Sequence, residues 1–325
     1  MNVDNRSLFE QNESQEMTWE SKHIRFFLSL PGLGRARVRR IIEMNPDVYS
    51  WDRESVMNQI GLERLADSLP QDIPELADLD DSEVVNFTET RFPVNLKRME
   101  KDGPLLLWYR GNLNIEKSLA VVGSRDMTEE TSSIVESFIR KASDRDYSIV
   151  SGLALGVDTK AHICALENNA KTIAILPSPL DNILPTSNRG LAGEIVEQGG
   201  LLLSEYEPGT VDSPSNNNYL MRNRLQAGMS DAVFIAQSGI PGGTMTTANH
   251  AIDNRKTLIV YAPKTESEKY KGNRYLTDEI SKLNLDGVLK LTKKQKEDIL
   301  SKNEKFADYS FTNDEEIDLV LDRLI

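Results

Sequence analysis

The chain has 325 residues, 39% of them hydrophobic and 27% charged, with a formal net charge of -13. No apolar run reaches the ~18–20 residues of a membrane helix, and the polar, acidic start MNVDNRSLFEQNESQEM has no secretory apolar core. Cys164 as the single cysteine excludes an internal disulfide framework, and with only His23, His162 and His250 beside it neither a metal site nor a cofactor is indicated; a cytoplasmic setting with no membrane contact is expected.

Residues 1–17 read as a disordered N-terminus, and 18–90 as a small N-terminal helical domain. Within it, FFLSLPGLGRARVRRII (26–42) is an apolar segment, a Pro-Gly-Leu-Gly turn and a second apolar-periodic segment, the layout of a helix–hairpin–helix (SAM-like) unit. Arg35, Arg37, Arg39 and Arg40 make a local basic patch there, suited either to a phosphate or to a solvated, packing face. The acidic residues gather at 63–90 and 277–318, so the negative total does not by itself exclude nucleic acid.

From residue 91 to about 280 the chain alternates strands with helices. Apolar runs fall at 119–123, 147–150, 171–176, 201–204, 231–236 and 257–262, with a further short strand at 105–109. Helical patterns lie between them at about 128–143, 157–168, 187–198, 218–229 and 245–254. Continuous rather than alternating apolar strands mean a sheet covered on both faces. The fold class is therefore α/β: a Rossmann-like, doubly wound, mostly parallel sheet. Residues 281–325 read as a charged C-terminal appendage with some helical character.

Ligands of such sheets sit beyond the carboxyl ends of the strands. Three Gly/Ser/Thr turns fall there: Gly123-Ser124-Arg125, Ser151-Gly152, and Gly242-Gly243-Thr244. Each offers unpaired N–H groups at a helix N-terminus to an anion. Arg222, Asn223 and Arg224, read at the start of the helix before the fifth core strand, add a phosphate clamp or internal ion pairs. Asp158, His162 and Glu205 read as loop braces, and no catalytic residue is nominated. Neither G-x-G-x-x-G nor G-x-x-x-x-G-K-[ST] occurs, which disfavours a dinucleotide cofactor and ATP hydrolysis.

VVGSRDMT, SGLALGVDTKAHICAL, KTIAILPSPLDNILPTSNRGL, GGLLLSEYEPG, MRNRLQAGMSDAVFIAQ and GGTMTTANHAI together resemble, in order, the DNA-processing protein A (DprA/Smf) family. The likeness extends over about residues 20–280. It implies a homodimer that binds and protects single-stranded DNA and assists loading of a RecA-type recombinase in transformation or recombination. By position it assigns the DNA-phosphate crevice to Gly123, Ser124, Arg125, Ser151, Gly152, Asn188, Arg222, Asn223, Arg224, Gly242, Gly243 and Thr244. Lys160, Lys171, Arg189 and Arg255 would widen the positive track. The pattern departs at Gln237, where the family carries a glutamate.

Two alternatives share the same core. One is a sensor that binds a small signalling nucleotide. The other is a nucleotide hydrolase similar to the LOG-type phosphoribohydrolases, whose P-G-G motif IPGGTMTTA resembles; their catalytic glutamate falls at or beside Asn249 here.

Overall fold

The computed structural model describes residues 19–44, 75–77, 82–211, 213–280, 283, 287–292, 295, 297 and 305–324. The expected disorder of 1–17, and residues 63–74 and 78–81 of the acidic stretch 63–90, lie outside the described residues.

One mixed sheet of nine strands organises the described residues, in the order β1-β2-β6-β5-β4-β3-β7-β8-β9. The strands are β1 (Glu83–Asn86), β2 (Leu106–Gly111), β3 (Ser118–Gly123), β4 (Ser148–Ser151), β5 (Thr172–Ile175), β6 (Leu201–Ser204), β7 (Ala232–Gln237), β8 (Thr257–Tyr261) and β9 (Tyr309–Phe311). From β6 to β9 all neighbours are parallel; β2 joins β6, and β1 joins β2, antiparallel. The core strands bury every residue but their ends, because their side chains meet helices on both faces.

Alternation along β3 assigns the two faces. Ala120 and Val122 join one apolar cluster with Ile195, Leu225 and Ala248; Leu119 and Val121 join the other with Phe138, Ala161 and Phe234. The first cluster is covered by α5 (Arg189–Glu197), α6 (Asn216–Met229) and α7 (Gly243–Asp253), and by α1 (Ser21–Ser29) and α2 (Arg35–Met44). The second is covered by α3 (Glu129–Ser143) and α4 (Val157–Glu167). Thr128 caps α3 by accepting from the Thr131 N–H, satisfying one of the helix's free donors. A short helix, α8 (Lys271–Thr277), closes the end of the crossing, and α9 (Ile317–Leu321) follows β9.

Three expectations change. Glu83–Asn86, read as part of the helical N-terminal segment, is an edge strand paired with β2. Residues 309–321, read as an appendage, are part of the core: β9 extends the sheet beside β8, and Phe311 lies 5.5 Å from the Phe234 ring, which stacks on Phe138 at 4.1 Å. And α6 begins at Asn216, so Arg222 sits in its middle rather than at its start. The capping box of Ser215 with Asn218 fixes that earlier start, a signal the apolar pattern does not carry.

Among the described residues no helix is long and apolar enough to cross a membrane.

Candidate nucleic-acid interface

β3 and β7 are neighbours, but their connections diverge. β3 leads through α3 to β4 on one side, and β7 leads through α7 to β8 on the other. The gap above their carboxyl ends is the switch point at which open α/β sheets bind ligands. It holds a crevice of about 780 Å³. Gly123–Asp126 form one wall, and Ser238, Gly239, Pro241–Thr244 and Thr247 the opposite one. The third wall is one face of α6, where Asn216, Tyr219, Asn223 and Gln226 recur at helical spacing.

Arg125, Arg222 and Lys269 line this gap together with the carboxylates of Asp126, Asp158 and Glu268, and Lys269 pairs with Asp126 at 2.8 Å. Arg125 is exposed, has no ion pair among the described residues, and lies 5.1 Å over the Tyr219 ring. Gly243 and Thr244 open α7, where the first amides have no acceptor inside the helix and the helix dipole is positive. Arg222 lines the crevice but is committed to the scaffold. Its Nη1 donates to the carbonyls of Gly152 (2.6 Å) and Ile175 (2.8 Å), and its Nε to Asn223 Oδ1 (3.2 Å). The arginine thus ties the ends of β4 and β5 to α6. A Cβ on Gly152 would fall 1.6 Å from that Nη1, so the glycine makes room for the guanidinium.

The adjoining loops are braced without reference to any ligand. Gly156, at φ 77°, brings α4 against the β3 turn, where Val157 N–H donates to Ser124 O at 3.1 Å; a Cβ there would lie 2.4 Å from the same oxygen. Leu153 takes the left-handed conformation at φ 59° and donates its N–H to His162 Nε2. His162 Nδ1 pairs with Thr172 Oγ1 at 2.7 Å, and that hydroxyl itself donates to Ile149 O. The ring is therefore the Nδ1–H tautomer. Burial, helped by the Arg222 charge, holds its pKa down at about 3, so it stays neutral with both nitrogens engaged. Asp158 accepts the Gly152 N–H at 3.2 Å, and burial raises its carboxyl pKa against the pull of Arg222.

Gln237 has a physical reason for being an amide. Its Oε1 accepts from Thr128 N–H (3.0 Å) and Thr131 Oγ1 (2.8 Å), while its Nε2 donates to Asp126 O (2.8 Å). An ionised glutamate could make the first two bonds but not the third.

Not every expected residue reaches the crevice. Gly123, Ser124, Arg125, Arg222, Asn223, Gly242, Gly243 and Thr244 line it. Ser151 is buried beneath it with Oγ bonded to Val121 O, and Gly152 is screened by Arg222. Asn188 instead braces the loop after β4, donating to Leu153 O and Thr159 Oγ1. Arg224 faces away altogether: its Nη2 donates to Glu205 Oε2, whose other oxygen accepts from Arg35 Nη1 at 3.3 Å. Residues two apart on a helix point about 200° apart, so Arg222 and Arg224 cannot share one site. Lys160 pairs with Glu136, Lys171 and Arg255 lie at the amino edge of the sheet, and Arg189 bonds Ile183 O; none of them borders the crevice. Tyr219, Leu220, Gln226 and Lys269 also border it, and the helical period carried from Asn223 in both directions, to i−4 and i+3, marks the first and third of them.

The hairpin arginines mostly hold the hairpin to the sheet. Arg35 reaches Glu205, Arg25 reaches Glu207 at 2.8 Å, and Arg39 is buried over the Phe87 ring at 4.6 Å; Arg37 and Arg40 stay exposed. Burial pushes the Glu205 carboxyl up to about 7, opposed by Arg35.

A family model described as DNA recombination-mediator protein A matches residues 83–292, well over half of the chain. The chain belongs to that family. Among curated relatives it is 36% identical to Protein Smf of Borreliella burgdorferi over 172 residues, covering 52% of this chain and 54% of the relative. It is 35% identical to DNA processing protein DprA of Streptococcus pneumoniae over 188 residues, covering 57% and 65%. The match thus spans between about half and two-thirds of these relatives. The X-ray structure of the Streptococcus pneumoniae DprA superposes with a TM-score of 0.67 at 25% identity, covering 88% of this chain and 99% of that one. A structure of DNA processing protein A from Helicobacter pylori, solved for its single-stranded DNA binding mode, gives 0.57 at 29% identity, covering 74% and 96%. The family resemblance read from the motifs and the mostly parallel α/β sheet are both borne out.

Proposed function

We propose that this chain binds single-stranded DNA in the crevice between the β3 and β7 turns. Arg125 and the Gly243 and Thr244 amides take successive phosphates, Tyr219 offers a ring for a base to stack on, and the base edges go largely unread. Arg222, Asn223, Gly152 and Asn188 hold the loops that present these groups. The observation that carries the reading is Arg125: an exposed guanidinium over an aromatic ring, facing a helix N-terminus, in a chain whose family includes a protein solved for its single-stranded DNA binding mode. In the cell this activity protects the strand and helps load a RecA-type recombinase, with the chain acting as a homodimer. No residue is assigned a catalytic role.

A gel-shift with single- and double-stranded oligonucleotides side by side, at graded salt, tests the proposal. Binding should favour the single strand and weaken steeply with ionic strength, and Arg125→Ala should reduce it; unchanged affinity in that variant would refute the site.

A second reading is favoured by the crevice volume, which suits a single nucleotide: a sensor of a small signalling nucleotide. Mononucleotides that displace the oligonucleotide at micromolar concentration would establish it. Hydrolysis has less support. Asn249 bonds Asp253 and the Lys290 N–H, and Glu205 is held by arginines behind the crevice. Release of a free base from nucleoside monophosphates, lost in Glu205→Gln, would reverse that.

A further inference from the structure

The opposite edge of the sheet carries a second concentration of positive charge. Where β7 and β8 begin, Arg98, Arg255 and Lys256 surround a hollow of about 320 Å³ together with Asn95, Asn254 and Asp231. Six residues of β3 separate this edge from the crevice, roughly 20 Å of strand. Asp231 is the one carboxylate lining it, and both its oxygens are occupied, by the Ser118 N–H at 2.9 Å and Asn95 Nδ2 at 3.0 Å.

Several cations elsewhere in the chain are matched to acids. Arg25, Arg35, Arg91, Lys141, Arg145 and Lys160 all sit in ion pairs. Arg98, Arg255 and Lys256 make none among the described residues, nor does any side-chain hydrogen bond engage their charged ends. Arg98 and Arg255 are exposed, and Lys256 is half-buried. Arg255 is moreover held at φ 53°, in the left-handed region an arginine seldom adopts, which fixes where its side chain leaves the turn. Burial lowers the Lys256 pKa and the neighbouring Arg98 charge adds to that, against the opposing pull of Asp231. Three cations against the single Asp231 carboxylate leave the hollow positive, a charge that an entering anion would offset.

We propose that this hollow is a phosphate-binding site, independent of the crevice, in which Arg98, Arg255 and Lys256 grip one phosphate group. The phosphate is either free, as inorganic phosphate or a nucleotide, or part of a nucleic-acid backbone. In the second case one chain would hold two stretches of strand at opposite edges of its sheet.

The test uses the full chain, its Arg125→Ala variant, and an Arg98→Gln/Arg255→Gln double variant, each titrated calorimetrically with inorganic phosphate and thymidine monophosphate, and by gel-shift with a short oligothymidylate at graded salt. For a free phosphate, the chain and Arg125→Ala bind it alike, and the double variant binds at least about tenfold more weakly. For a backbone phosphate, free phosphate is indifferent, and the double variant flattens the salt dependence of oligonucleotide binding by about two phosphate contacts, additively with Arg125→Ala. Both arginines being exposed, the double variant should melt no lower than the parent in phosphate-free buffer. The proposal falls if neither titration changes in the double variant, if phosphate binding disappears on Arg125→Ala alone, or if the double variant melts lower, since the arginines would then be serving the fold. Loss of oligonucleotide binding on Arg125→Ala bears on the crevice and not on this site.

Discussion

Arg222 and Arg224 are two residues apart in the same helix, yet they belong to different parts of the molecule. Arg222 points up to the strand ends and carries the rim of the crevice; Arg224 points down against Glu205, where it meets Arg35 from the N-terminal hairpin. The first arginine positions the solvent-facing surface proposed here to take the strand. The second joins two pieces of the fold, with its Nε and Nη1 buried and without partners. A motif that reads as one clamp is therefore two devices, divided by the 100° step of the helix.

That division breaks or holds on the following substitutions. The largest effect belongs to Glu205→Ala measured above pH 7, where the carboxylate is ionised: it strands Arg224 as a buried charge and should cost about 3–5 kcal/mol in a denaturant melt, while the folded fraction keeps its oligonucleotide affinity. Equal loss of both would mean Arg224 serves the crevice after all. Gly152→Ala does the reverse. Its Cβ would displace the Arg222 guanidinium, costing about 1–3 kcal/mol and weakening oligonucleotide binding together. Arg125→Ala should leave the melting point nearly unchanged and lower oligonucleotide affinity about tenfold, because the side chain is exposed and unpaired.

The joint with the hairpin has a pH signature. Glu205 keeps its proton up to about 7 when folded but loses it near 4.5 when unfolded, so between those values the folded state holds the extra proton. Stability therefore falls as pH rises from about 4.5 to 7, by at most about 1.4 kcal/mol per pH unit, and is flat above. Melts of Glu205→Gln across the same range should lack that slope. The smallest effect is at the crevice floor. Gln226 Nε2 is buried with no partner, and Gln226→Leu should raise stability by about 1 kcal/mol, read as a higher melting point.

Much of the fold was legible because the strands are buried on both faces. LLLS at 201–204 is β6 to the residue, and the other core strands lie within one or two positions of their apolar runs. What escaped were the elements whose pattern is too short to have a period. Glu83–Asn86 has only two buried residues, and Tyr309–Phe311 only one, so each is a strand because a neighbour's free edge pairs with it. The candidate site divides the same way. Gly123, Arg125 and Gly243 could be placed from strand ends alone, whereas Asn188 and Arg224 match the family motif by position and turn out to brace the scaffold.

The amino-acid sequence alone determined the alternating strands and helices, the order in which glycine-rich turns end the strands, and the family to which those motifs belong, because local periodicity and turn chemistry are written residue by residue. Only the tertiary structure decided which arginine faces the crevice and which is consumed by Glu205, that the charged C-terminal residues complete the sheet, and that Arg98, Arg255 and Lys256 meet at its far edge. Those outcomes depend on which side chains distant segments bring within a few ångströms, and Coulomb and hydrogen-bond energies are set at that distance rather than by spacing along the chain.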